Sequence, residues 1–127
     1  MSHQELAISF QKSATCIKSK CVGDLSYEEI CRAVYNRLYY ALYHKYLVYD
    51  NELSLSKDRS KHNAILNKIR DNYSLKTYQL YKKMQSLRIW ADYSLSTHPL
   101  PGAEKAILSL DILIMQISST IQKDVFG

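Results

Sequence analysis

The chain has 127 residues, 46% of them hydrophobic, with only three Gly and two Pro. That balance fits one domain and favours long helices over a turn-rich β fold. A net charge of +5 and a sequence pI near 9.1 admit a nucleic-acid partner without requiring one, because no unbroken Arg/Lys block is present.

In chain order, Ser2 to about Lys20 places Leu6, Phe10, Ala14, Ile17 and Cys21 at helical spacing. Gly23 and Asp24 break this helix, and Ser26 followed by Glu29 has the form of a capping box for the next one. The second helix, Ser26 to Asp50, contains no Gly or Pro and holds tyrosines at 27, 35, 39, 40, 43, 46 and 49. The helical repeat puts Ile30, Ala33, Val34, Arg37, Tyr40, Ala41, His44 and Val48 on one side. Arg37 and His44 then lie along one stripe, two turns or about 10 Å apart. Arg32, Asn36, Tyr39, Tyr43 and Tyr46 form the opposite stripe, which reads as the wetter one. Such a helix suits the centre of a bundle, and its polar groups need partners there.

Beyond Asp50, the polar stretch NELSLSKDRSK reads as an exposed loop. A short helix is expected from about Ser60 to Asn72, with His62, Ile65, Leu66 and Ile69 as its buried face. From about Leu75 to Ser96 a third long helix carries Leu80, Met84, Leu87, Ala91 and Leu95 as its core stripe, with Tyr81, Arg88 and Asp92 alongside. His98 precedes Pro99, which biases the backbone away from the helical region and stops this helix near Thr97. The last helix, about Gly102 to Lys123, has one apolar face through Leu110, Leu113, Ile117 and Ile121, and a second apolar line at Leu108, Ile112 and Met115. Two-sided apolarity means burial between neighbours or contact with a second copy.

Cys16, Cys21 and Cys31 lack any metal-ligand or disulfide spacing and read as small apolar side chains of a reduced, cytoplasmic protein. The N-terminal stretch lacks the pattern of a signal peptide, and the most apolar run, Ala106 to Ile117, is too short and too polar to span a bilayer. Gly-rich phosphate loops, a His-Glu-x-x-His zinc helix and a Gly-x-Ser-x-Gly elbow are all missing. No metal or other cofactor is expected.

What remains is Arg, Tyr, His and Asp on helix faces. The run from Arg32 to His44 (RAVYNRLYYALYH), then Lys61 to Ile65 (KHNAI), then Leu87 to Tyr93 (LRIWADY) resembles the HEPN superfamily in order and spacing over nearly the whole chain. The similarity is to its compact prokaryotic branch, with Arg-x-Tyr-Tyr-Ala in the second helix and Arg-x-x-Ala-Asp-Tyr in a later one. The resemblance implies an all-α, up-and-down bundle of four long helices plus a short one, dimerising across a cleft. It also implies a metal-independent ribonuclease of toxin–antitoxin or phage-defence systems, acting on RNA and paired with a nucleotidyltransferase-like antitoxin or another defence subunit.

The family's catalytic motif is Arg, four to six residues, then His. Carried over, the Arg is Arg88, but the residue after the next four is Tyr93. Arg88 is then expected to stabilise phosphate charge, Asp92 to orient it, and His44 or His62 to transfer protons in place of the missing imidazole. Arg37, Tyr40, Arg32 and Lys83 are candidates for RNA or phosphate contact. Two plainer readings stand beside this one: a non-catalytic module binding nucleotide, RNA or protein through the same cleft, and a scaffold in which Arg88 and Asp92 form only an intrahelical ion pair.

Overall fold

The computed structural model describes residues 2–21, 23–48, 61–95 and 103–122. Every regular element among them is a helix: α1 His3–Lys20, α2 Tyr27–Val48, α3 Lys61–Asn72, α4 Leu75–Tyr93 and α5 Ala103–Gln122. The stretch expected as an exposed loop after Asp50, and the turn at His98 and Pro99, lie outside the described residues. No helix among the described residues is long and apolar enough to cross a membrane.

Local chemistry sets the helix starts. Ser2 caps α1, its hydroxyl accepting from the Glu5 amide while the Glu5 carboxylate reaches back to Ser2 N–H. The expected box before α2 is present in both halves: Glu29 N–H donates to Ser26 Oγ at 3.2 Å, and Ser26 N–H to Glu29 Oε1 at 3.0 Å. Those bonds hold the Glu29 carboxyl below its ordinary pKa. Between the two helices Gly23 takes a φ of +99°, a left-handed value that a side chain resists.

Cross-helix contacts fix the directions. His3 meets His44 and Phe10 meets Tyr40, so α1 runs antiparallel to α2. Gln11 bonds Ser118 and Lys18 pairs with Asp111, so α1 is also antiparallel to α5. Arg32 reaches the Trp90 and Ala91 carbonyls while Tyr46 packs on Tyr81, which makes α4 antiparallel to α2. Among the described residues α2 alone touches all four other helices; α1 additionally meets α5, and α3 meets α4. Among the described residues α4 and α5 do not pack against each other.

The core follows from this arrangement and corrects the expected faces of α2. Tyr39 is fully buried and Tyr46 is 7% exposed, so the stripe expected to be wetter is largely interior. Since α1 and α5 pack on one flank of α2 while α3 and α4 pack on the other, both flanks are covered. The phenols are tolerated because a ring supplies apolar area and its hydroxyl finds a partner. Around them Val34, Leu38, Leu42, Ile65, Ile69, Met84, Leu110, Leu113 and Ile117 complete the core.

Helix α4 ends at Tyr93, short of the expected Ser96. Ser94 is extended, with ψ of 138°, and its N–H closes the last turn on Trp90 O. Leu95 is therefore fully exposed and leaves the core stripe assigned to it. On α5 the second apolar line is open to solvent at Ile112 (51%) and Met115 (64%). Cys31 is buried, Cys21 half-buried and Cys16 exposed.

Candidate functional site

The antiparallel pairing of α2 and α4 brings the two Arg/Tyr motifs face to face. Arg88 is the meeting point. Its Nε lies 2.9 Å from Asp92 Oδ2, one turn along α4, and its Nη2 donates to Tyr40 OH on α2 at 3.0 Å. The guanidinium carbon also stands 5.5 Å from the Tyr40 ring centre, 5.8 Å from that of Tyr39 and 5.4 Å from that of Tyr93. Burial by itself lowers the pKa of this guanidinium, but Tyr40, Asp92, Tyr93 and Tyr39 together outweigh it and the net shift is upward. Arg88 is thus a fixed cation.

Asp92 is held from the other helix as well. Asn36 Nδ2 lies 3.3 Å from both carboxylate oxygens, and Arg37 Nη1 donates to Asn36 Oδ1. Arg37 and Arg88 therefore flank one Asn–Asp pair. Asn36 is not among the site candidates that the sequence singles out; it stands on the α2 stripe that also carries Arg32.

His62 enters from α3. Its ring stacks on Tyr43 at 4.7 Å between centres and on Tyr39 at 5.5 Å, and its Nδ1 is hydrogen-bonded to the Tyr39 hydroxyl. Tyr81 OH donates to Tyr39 OH at 3.3 Å, so three side chains form one polar string through the core. Burial pushes the Tyr39 phenol up to about 12, partly opposed by the bond from Tyr81 and by Arg88. Burial also raises the Tyr81 phenol strongly. Both phenols stay protonated at neutral pH. Burial first, and then the Arg88 charge, lowers the pKa of His62, which favours its neutral form. A neutral imidazole bonded to a phenol has two tautomers, one leaving Nε2 as an acceptor and the other as a donor.

The remaining expected residues lie around this cluster. His44 faces α1: its Nδ1 is 2.8 Å from His3 Nδ1 and its ring stacks on Phe10 at 5.6 Å and 4°. Tyr40 stands between His44, 6.5 Å away centre to centre, and Arg88. Burial, reinforced by His3, brings His44 down to about 4. It is neutral at pH 7. Tyr93 is 70% exposed at the rim. Arg32 caps the end of α4, donating to Trp90 O at 3.1 Å and Ala91 O at 2.9 Å with its guanidinium 4.2 Å over the Trp90 ring. Lys83 is elsewhere, lining a groove between α4 and α5.

The cluster offers a fixed cation, a neutral imidazole and a polar rim. That set can bind a phosphodiester and move a proton beside it. Compared with family models, with characterised proteins and with solved structures, the chain matches none of them.

Proposed function

We propose that this protein is a HEPN-like RNA-binding protein that acts as a metal-independent endoribonuclease, as a homodimer, in a toxin–antitoxin or phage-defence setting. The observation carrying the reading is the convergence of Arg88, Tyr40 and Asp92 with His62, three helices contributing to one cluster. Arg88 takes the charge that builds on phosphorus-bound oxygens when the RNA 2′-hydroxyl attacks. In the tautomer with its proton on Nδ1 and Tyr39 oxygen as acceptor, His62 has Nε2 available to take the 2′-hydroxyl proton. The 5′-oxygen leaves with a proton from solvent, and a cyclic 2′,3′-phosphate remains.

Incubation of varied RNAs in EDTA tests this. Wild type is expected to cleave, Arg88→Ala to lose about 100-fold or more in rate, and His62→Ala a comparable factor. Cleavage absent from wild type and variants alike removes the enzymatic claim.

A second reading, a non-catalytic RNA-, nucleotide- or protein-binding module, is favoured by Tyr93 at the motif's His position and by the engagement of His62 with Tyr39. RNA binding that depends on Arg88 and persists without turnover selects it.

A further inference from the structure

Arg32, Arg37 and Arg88 gather along the α2–α4 seam, and the charge on two of them is met locally. Arg88 Nε lies 2.9 Å from Asp92, and Arg32 Nη2 lies 3.5 Å from Glu28. Arg37 differs: among the described residues its guanidinium pairs with no carboxylate, and its hydrogen-bond partner is the neutral side chain of Asn36. With His44 neutral at pH 7 and the Arg88–Asp92 pair balanced, Arg37 supplies the uncompensated positive charge of the cluster.

The side chain is also held in place. Its Nη1 donates to Asn36 Oδ1, and Asn36 Nδ2 is in turn 3.3 Å from both oxygens of Asp92. A guanidinium carries five N–H donors in a planar fork, so most remain available once Asn36 has taken one. Arg37 is half-buried, and its charge acts through less water than that of a freely exposed cation. A fork already oriented loses less freedom on meeting a phosphate.

Arg37 borders the Arg88 cluster on two sides. Asn36 joins it to Asp92, and Tyr40, its neighbour three residues on along the helix surface, accepts from Arg88 Nη2 at 3.0 Å. The Asp92 carboxylate stands between the two guanidinium groups and repels an anion from the midpoint, so they take different phosphates. We propose that Arg37 is the ground-state anchor of the RNA strand, holding a phosphate next to the one that reacts beside Arg88. This role rests on the RNA reading above and adds to it a division of labour: Arg37 sets affinity and Arg88 sets rate.

The probe is a short single-stranded RNA with 2′-O-methyl sugars, which lack the attacking hydroxyl, titrated into the whole chain by fluorescence anisotropy across a salt series. Arg37→Ala is expected to weaken wild-type binding about tenfold or more and to flatten the slope of log affinity against log salt by about 0.7, the value for one single-strand phosphate. Arg37→Lys keeps the slope and recovers part of the affinity, because the charge stays and the fork is lost. Lys76→Gln, an exposed charge about 18 Å from Arg88 along α4, changes binding less than about twofold near 0.1 M salt. Methylphosphonates placed one at a time should reveal one position that costs wild type affinity and costs Arg37→Ala almost none. With cleavable RNA, Arg37→Ala raises KM and leaves kcat near wild type, whereas Arg88→Ala lowers kcat. Arg37→Ala behaving like Lys76→Gln, or losing kcat alone, overturns the anchor and leaves the RNA reading standing. Binding with all these Arg37 effects but no turnover supports the anchor and removes only the enzymatic claim, and absence of RNA binding by wild type removes both.

Discussion

Tyr39→Phe removes one oxygen and breaks the polar string in the middle. Tyr39 and Tyr81 are both fully buried, so water does not replace what is lost. Tyr81 OH forfeits the acceptor it now has at 3.3 Å, and a stranded buried donor costs about 1–3 kcal/mol. The bond to His62 adds less, because that ring is half-buried and can turn toward solvent. The expected total is about 2–3 kcal/mol, which lowers the melting temperature by roughly 6–12 °C in a chain of this length. Tyr81→Phe removes only the donor and leaves Tyr39 bonded to His62, at about 1 kcal/mol. In the double variant no hydroxyl is stranded, so its cost should fall below the sum of the two singles by about 1 kcal/mol. Urea denaturation of all four proteins measures the cycle. Additivity within about 0.5 kcal/mol, or a Tyr39→Phe cost below that figure, refutes the coupling.

Three further outcomes follow from the geometry. His44 titrates near 4 in the fold against an ordinary value near 6.5, so between those values the unfolded chain binds more protons. Stability should be complete above about pH 6.5 and fall as pH drops toward 4, by about 1–2 kcal/mol once solvent screening of this half-exposed ring is allowed for; urea midpoints across that range should flatten in His44→Gln. Arg32→Ala leaves the Trp90 and Ala91 carbonyls without their guanidinium and should cost about 2–3 kcal/mol by thermal melting, with Arg32→Lys recovering only part of it because an ammonium lacks the planar fork. Ile117→Ala opens a hole in a fully buried position and should cost about 2–5 kcal/mol in the same assay.

How much of this was legible in the linear chain depended on whether the signal was local. The start of α2 was readable because Ser26 and Glu29 act within one turn of themselves, and the Ser2 cap of α1 has the same local form. The spacing of Arg88 and Asp92 also announced their ion pair, since four residues on a helix are neighbours whatever surrounds them. The dry flank at Tyr39 and Tyr46 was not readable: a tyrosine is equally at home on a rim or in a core, and only the covering helices decide which. For the same reason His44 turned toward His3 and Phe10 on α1, distant partners in the chain that periodicity within α2 does not name. The early end of α4 was hidden because Leu95 continued the apolar rhythm one step past the residue whose backbone had already become extended.

Because, among the described residues, α1 and α5 meet each other, α3 and α4 meet each other, and the two pairs are joined only through α2, the described helices form two wings on a spine. Either wing can loosen without prising open the other, so amide deuteration should resolve two intermediate classes of protection, with the α2 amides last to exchange. A ligand seated between the wings would tie them together across the spine, slowing both classes at once rather than one of them.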